Sequence, residues 1–173
     1  MAAVVIPDKV YDYNAYDESE KLIGLTGEVT LPNLESMTST LTGAGILGEV
    51  ETTNAGHFGS LTVELTMKTL FQKSFDFLAH SGKSLILRGA QTGYDSKNGQ
   101  VSYRGLKITM KWMPKGLELG TLGKNTPTES KNTLEIFYLK IEENGKLMLE
   151  LDKLNYVYKV NGKDQLAAIK KLI

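Results

Sequence analysis

Hydrophobic and polar residues alternate most regularly over 60–68, where Leu61, Val63, Leu65 and Met67 are separated by Ser60, Thr62, Glu64, Thr66 and Lys68. A period of two places successive side chains on opposite faces of a strand, so this segment is predicted to be a strand with one face buried. Residues 22–31 carry a weaker version, with Ile23, Leu25, Val29 and Leu31 on one face and Thr26, Glu28 and Thr30 on the other. Pro32 ends that strand or places it at a sheet edge. Residues 36–41 read as a second short strand. No clear period survives from Thr42 to Gly59, a Gly-rich and weakly apolar stretch. Structureless loops of this length are uncommon inside compact domains, so this one is predicted to be functional or ordered by a partner.

The period then lengthens. Leu70, Phe71, Phe75 and Leu78 follow helical spacing and Gly82 suits the position after a helix end, which predicts a helix over 70–80. Residues 84–95 and 100–113 flank Ser96-Lys97-Asn98-Gly99, and Asn-Gly supplies the positive φ angles of a tight hairpin turn. In the second arm Val101 and Tyr103 are apolar at odd positions, whereas Leu106, Ile108, Met110 and Trp112 are apolar at even ones. The change of phase at Gly105 predicts a β-bulge. Residues 114–132 are rich in Gly, Pro, Asn, Ser and Lys and read as a mobile loop. A second hairpin runs over 133–143, Glu143-Asn144-Gly145 and 146–160, its apolar phase passing from Leu147, Leu149 and Leu151 to Leu154, Tyr156, Tyr158 and Val160. Asn161-Gly162 ends it. Asp164 is placed to N-cap a last helix over 164–173, with Leu166, Ile169 and Ile173 on one stripe and Lys170 and Lys171 in its final turn. The pattern predicts one mainly-β domain over 1–173, an antiparallel sandwich or barrel with one inserted helix and a C-terminal helix.

Composition narrows what such a domain can do. A chain of 173 residues buries about 70% of its unfolded surface and needs no covalent staples. There is no Cys, which removes disulfides, thiol nucleophiles and Cys-based zinc sites, and the two histidines, His57 and His80, leave little room for His-based catalysis or metal binding. No catalytic or phosphate-binding motif is present, no cofactor is expected, and no apolar run is long enough for a membrane anchor. The N-terminal residues lack the pattern of a secretion signal, so the protein is expected to be made and kept in a cytoplasm. The acids Asp8, Asp12, Asp17, Glu18 and Glu20 lack calcium-loop spacing and read as a solvated or partner-facing segment.

The zero net charge conceals a split: residues 1–57 carry two bases and nine acids, a balance of −7, while residues 58–133 carry eleven bases and five acids, a balance of +6. Such a split is either chance segregation over solvated faces or a pair of complementary surfaces. Tyr94, Tyr103 and Trp112 interleave with the basic middle, which keeps a non-enzymatic, OB-like nucleic-acid-binding module as an alternative. Tyr103 and Trp112 also fit the apolar side of a strand, and core packing is the simpler reading of both. The sequence offers no visible device to protect sheet edges, and unprotected edges pair with other chains.

Several segments in a fixed order resemble the major tail tube protein of contractile phage tails and of R-type phage-tail-like bacteriocins. They are Glu28-Val29-Thr30-Leu31-Pro32-Asn33-Leu34, the Gly43-Ala44-Gly45 turn, Ser60-Leu61-Thr62-Val63-Glu64-Leu65 and Arg88-Gly89. Leu151-Asp152-Lys153-Leu154-Asn155-Tyr156 and Val160-Asn161-Gly162-Lys163-Asp164-Gln165-Leu166 complete the series. The resemblance spans nearly the whole chain and departs from the family pattern in the acidic N-terminal segment and in residues 43–59. It implies hexameric rings stacked into a tube whose lumen is a β-barrel continuous across subunits. The implied partners are further copies of the chain, a contractile sheath, a tape-measure protein, a baseplate and a tail terminator. DNA is passing cargo in a phage, and ions flow through the channel of a bacteriocin. The implied place of assembly is the cytoplasm of a bacterial host, and the mature location is the virion tail or the bacteriocin particle. The 42–59 loop is then the expected assembly element: Gly43, Gly45, Gly48 and Gly56 bend the backbone, Ile46, Leu47, Val50 and Phe58 anchor on a neighbour, and Glu49 and Glu51 contribute charge. The lumen wall is expected to be polar, formed by the face of Lys107, Thr109 and Lys111 or by that of Glu64 and Thr66.

Overall fold

The computed structural model describes residues 5–18, 20–22 and 25–173, and of 25–27 the backbone course only. The chain begins with a long strand, β1 (Val5–Asp17), the two-residue β2 (Glu20–Lys21) and β3 (Leu25–Thr30), followed by β4 (Ser36–Leu41), β5 (Val50–Phe58) and β6 (Thr62–Met67). A single-turn helix, α1 (Gln72–Asp76), precedes β7 (Ser84–Asp95), β8 (Val101–Glu118), β9 (Ser130–Glu143), β10 (Lys146–Asp152), β11 (Val157–Val160), β12 (Lys163–Asp164) and a last short helix, α2 (Ala167–Lys170). The main sheet runs β12-β11-β10-β9-β8-β7-β1-β2, with β6 also on β9 and β3 beyond β6, and every pairing is antiparallel. The domain is thus mainly β, as its alternation requires.

The sheet branches over its core because β9 changes partner along its length. β8 lies along one side throughout; on the other, β6 takes Ser130–Glu135 and β10 takes Tyr138–Glu143. The change falls at Phe137, the extra residue of a bulge that sets Lys111 opposite Tyr138 but Trp112 opposite Ile136. A bulge bends its strand. Here it keeps Leu134 and Ile136 before the bend and Leu139 after it all buried. They meet Leu61, Val63, Leu65 and Met67 from the β6 segment, Leu85 and Leu87 of β7, Ile108, Met110 and Trp112 of β8, and Leu151 of β10 in one cluster. Each such side chain contributes about 1.5–3 kcal/mol on burial, so this cluster holds the two halves of the sheet together.

Several local expectations are corrected. At Gly105 the β7–β8 register runs through without a shift. Leu106, Ile108, Met110 and Trp112 face inward, and Val101 and Tyr103 are exposed on the outer face. The apparent change of phase is an apolar patch on the outside of an unbroken strand. Tyr103 is therefore not a core residue, whereas Trp112 is. Helix α1 is shorter than 70–80, with no side-chain cap at Phe71. Its buried residues are Ser74 and the following Phe77, while Phe75 and Leu78 stay exposed. The segment is held by the Asn132 side-chain amide, which donates to the Ser74 carbonyl at 2.8 Å, and by Phe77 beside the Trp112 ring at 5.4 Å.

The C-terminal helix is one turn rather than 164–173. Asp164 belongs to β12, and its Oδ1 accepts from the Leu166 amide at 2.9 Å; of the predicted stripe only Leu166 is buried. The 114–132 loop narrows to 119–129, because β8 and β9 extend into it. In the β7–β8 turn Gly99 alone has positive φ, +68°, so the turn is longer than a two-residue one; Asn144-Gly145 and Asn161-Gly162 do have both residues positive. Ile23 of the 22–31 strand lies outside the described residues.

Candidate assembly surfaces

Residues 42–59 are not structureless. β5 pairs with β4 in a separate two-stranded sheet, Leu41 opposite Val50 and Ser39 opposite Thr52. Both faces of this hairpin are in solvent and mostly Thr, Ser, Glu and Asn, with Met37, Leu41 and Val50 exposed among them, so no core imposes an alternation and the sequence shows none. Its own polar groups tie it: Thr52 Oγ1 donates to the Ser39 carbonyl at 2.9 Å. Gly43, Gly45, Ile46, Leu47, Gly48 and Glu49 form the tip, and Val50 and Glu51 open β5. A Cβ built on Gly43, Gly45 or Gly48 would meet nothing within 4 Å, and Leu47 is 105% exposed.

Phe58 does something different. It lies at the base, half-buried, edge-on to Tyr158 of its own chain at 5.3 Å. Beside it Gly56 has φ +76° and a position where a Cβ would stand 3.3 Å from both Leu166 methyl carbons. Lys153 Nζ donates to the Gly59 carbonyl at 2.6 Å. Phe58 and Gly56 thus clasp the hairpin to β11 and the residue before α2. The cleft next to the clasp, which His57 and Asp152 help line, has a volume of about 190 Å³, below the roughly 300–1,000 Å³ of ligand pockets.

The second surface is the far half of the β1–β7–β8 blade. The core stops near Leu87 and Ile108, but the three strands continue. Val5, Ile6, Val10, Tyr11, Tyr94, Val101 and Tyr103 are exposed there, Tyr103 by 68%. β2 covers only Tyr16 and Asp17 of β1. Among the described residues no strand pairs with the outer edge of β1 from Val5 to Asn14.

The third surface is polar. Cross-strand pairing aligns Arg88 with Lys107, Lys107 with Glu142, Thr109 with Lys140, Lys140 with Glu150, and Glu150 with Lys159 on one face. Lys140 and Lys159 stand 2.9 and 2.8 Å from Glu142 and Glu150, and Lys107 is 3.8 Å from Glu142. The Lys140 hydrogen bond holds the Glu142 carboxyl below its ordinary value, and the Glu150 hydrogen bond raises Lys159. Tyr138 donates to Glu150 at 3.3 Å beneath the Lys111 ammonium; burial first, then the Glu150 charge, pushes its phenol up to about 12. Lys107, Thr109 and Lys111 therefore belong to a broad face of alternating sign. Glu64 and Thr66 sit on a smaller one, where Lys131 lies 3.6 Å from Glu64 and Lys115 lies 3.4 Å from Glu135.

Among the described residues no group of His, Asp and Glu could hold a metal ion, and no helix is long and apolar enough to cross a membrane. His57 lies exposed in β5 and His80 exposed after α1. What the fold presents is surface, edge and a projecting hairpin. Residues 7–173 match the phage tail tube protein FII family. Over 166 residues the chain is 25% identical to the tail tube protein of Escherichia phage P2, covering 94% of this chain and 95% of that protein. With nearly its whole length matched, the chain belongs to the phage tail tube protein FII family, a family of structural proteins of the phage tail rather than of enzymes.

Proposed function

We propose that this protein polymerises as stacked six-fold rings into the inner tube of a contractile tail, and that the tube is a passive conduit for DNA in a phage or ions in a bacteriocin. The observation that carries the reading is the blade: a 13-residue β1 with which, among the described residues, no strand pairs along most of its outer edge, beside an apolar outer patch. A free edge of this length is a template for another strand, and a neighbouring copy both covers the patch and satisfies the edge. The hairpin tip supports the same reading, because it projects the fully exposed Leu47 beside the exposed Glu49 and Glu51.

We assign the lumen to the broad face of Lys107, Lys140, Glu142, Glu150 and Lys159. Its charges are already paired along the strands, so it offers a passing polymer no field of one sign, and the apolar Tyr94, Val101 and Tyr103 that continue this face at the far end of the blade are the part a neighbouring copy covers. Sheath, tape-measure protein, baseplate and terminator are the proposed partners, and the host cytoplasm the proposed place of assembly. The deciding experiment is electron microscopy of the concentrated protein. Hollow tubes with six-fold rings are expected; a compact monomer at all concentrations, with or without particle components, refutes the proposal.

A further inference from the structure

Three Asn-Gly pairs occupy exposed hairpin turns: Asn98-Gly99, Asn144-Gly145 and Asn161-Gly162. Asparagine before glycine is chemically labile, since glycine has no side chain to keep its own nitrogen from the asparagine carboxamide. The glycine nitrogen bonds to the asparagine Cγ and gives its proton to solvent. The Cγ–Nδ2 bond breaks, and the nitrogen takes up a proton and leaves as ammonia. One water then opens the cyclic imide at either carbonyl, giving aspartate or isoaspartate. The step requires a glycine N–H that is not committed elsewhere and a carboxamide free to turn onto it.

The first turn is restrained on both counts, the second at the carboxamide and the third at neither. The Gly99 amide donates to the Asp95 carbonyl at 2.8 Å, and Asn98 Oδ1 accepts from the Gln100 amide at 2.9 Å. Asn144 Oδ1 accepts from the Gly105 amide at 2.8 Å, which ties its side chain to β8. At the third turn only the Asn161 amide is fixed, donating to the Met148 carbonyl at 2.7 Å. Among the described residues no hydrogen bond reaches the Asn161 side chain or the Gly162 amide.

We propose that Asn161 is a spontaneous modification site, deamidating ahead of Asn144 and Asn98 in the folded subunit. Isoaspartate there lengthens the main chain by one carbon inside the turn that sets Val160 opposite Lys163. It displaces β12 and with it Leu166, against which Gly56 of the hairpin base packs. The modification therefore loosens the clasp of the β4–β5 hairpin.

The test is site-resolved peptide mass spectrometry with isoaspartyl methyltransferase labelling. The purified full chain is aged in mildly alkaline buffer, with and without denaturant. Conversion at Asn161 is expected to run several-fold faster than at the other two sites in the folded chain, with the three rates converging in denaturant. Equal or faster conversion at Asn98 or Asn144 in the folded chain overturns the proposal. So does the same ranking in denaturant, which would trace it to sequence rather than to the hydrogen bonds of the turns.

Discussion

Leu47→Ser separates folding from assembly most cleanly. Leu47 is 105% exposed at the end of the β4–β5 hairpin and touches no core residue. An exposed substitution of this kind changes subunit stability by no more than about 0.5 kcal/mol. If a neighbouring copy buries the side chain, each added subunit loses about 1.5–3 kcal/mol of contact free energy in the variant. With a factor of ten for every 1.4 kcal/mol, the critical concentration for tube growth rises roughly 10- to 150-fold. Pelleting assays across a concentration series read that shift, and thermal unfolding of the dilute subunit reads stability. The expected pair of results is an unchanged Tm with a displaced polymerisation threshold. An unmoved threshold removes Leu47 from the interface, and a substantially lowered Tm means that the tip packs within its own chain.

Three further outcomes follow from the geometry. Gly56→Ala puts a side chain on a backbone at φ +76° and 3.3 Å from Leu166; a loss of about 1–3 kcal/mol is expected in denaturant unfolding, with faster amide exchange in β5, and wild-type stability would mean that the clasp has slack. Reversing Glu49 and Glu51 to Lys should slow polymerisation at low salt and have little effect at high salt, because exposed pairs contribute only about 0–1 kcal/mol and are screened over about 8–10 Å; a salt-independent defect points to shape instead. Acid should destabilise the subunit. Burial pushes the Glu135 carboxyl up, but hydrogen bonds from Ser60, the Leu61 amide and Lys115 outweigh it and hold it below its ordinary 4.5, while Glu20, Glu142 and Asp164 are lowered mainly by lysine partners. Depressed carboxylates stabilise above the unfolded pKa and lose that contribution as pH falls through the folded one. Circular dichroism should therefore show a Tm that drops below about pH 4.5 and drops less steeply in Glu135→Gln.

The elements most legible in the sequence are those whose period is imposed by the core. Leu61, Val63, Leu65 and Met67 are buried to 1% or less exposure, and the same alternation that predicts the strand is the burial pattern itself. β4 also agrees with its expected limits, 36–41. The signal failed where strands run beyond the core. β5 is a strand exposed over most of its length, so nothing selects apolar residues at alternate positions, and the segment reads as a loop. Val101 and Tyr103 mislead for the opposite reason, being apolar on an outer face, and so mimic a change of register. Helix α1 was overextended because Phe75 and Leu78, which complete its apolar stripe, stay exposed while Ser74 is buried through polar contacts. The polar face of Lys107, Thr109 and Lys111 was visible strand by strand, but the neighbours that pair its charges come from β9, β10 and β11 and are joined only by register.

The charge split of the sequence also divides differently in three dimensions. Part of the acidic first third is neutralised inside the subunit: Asp17, 6% exposed, lies 3.2 Å from Lys83 and 4.0 Å from Lys73, and Lys73 also holds Glu20. Much of the basic middle is engaged as well, Lys107 with Glu142, Lys115 with Glu135, Lys131 with Glu64 and Arg104 with Glu143. A mutual attraction of whole segments between subunits would have to draw on these same charges, and Asp17 would be left buried and unpaired, a cost of several kcal/mol. Among the described residues Glu18, Glu28, Glu35, Glu49 and Glu51 of the acidic third make no ion pair, and Glu49 and Glu51 stand at the projecting hairpin. Electrostatic complementarity between copies is therefore left to scattered exposed residues, those beside the apolar tip among them. That is enough to orient an approaching subunit and too little to hold it, so in the assembly proposed above the lasting strength would come from strand pairing along β1 and from apolar area at the tip and blade.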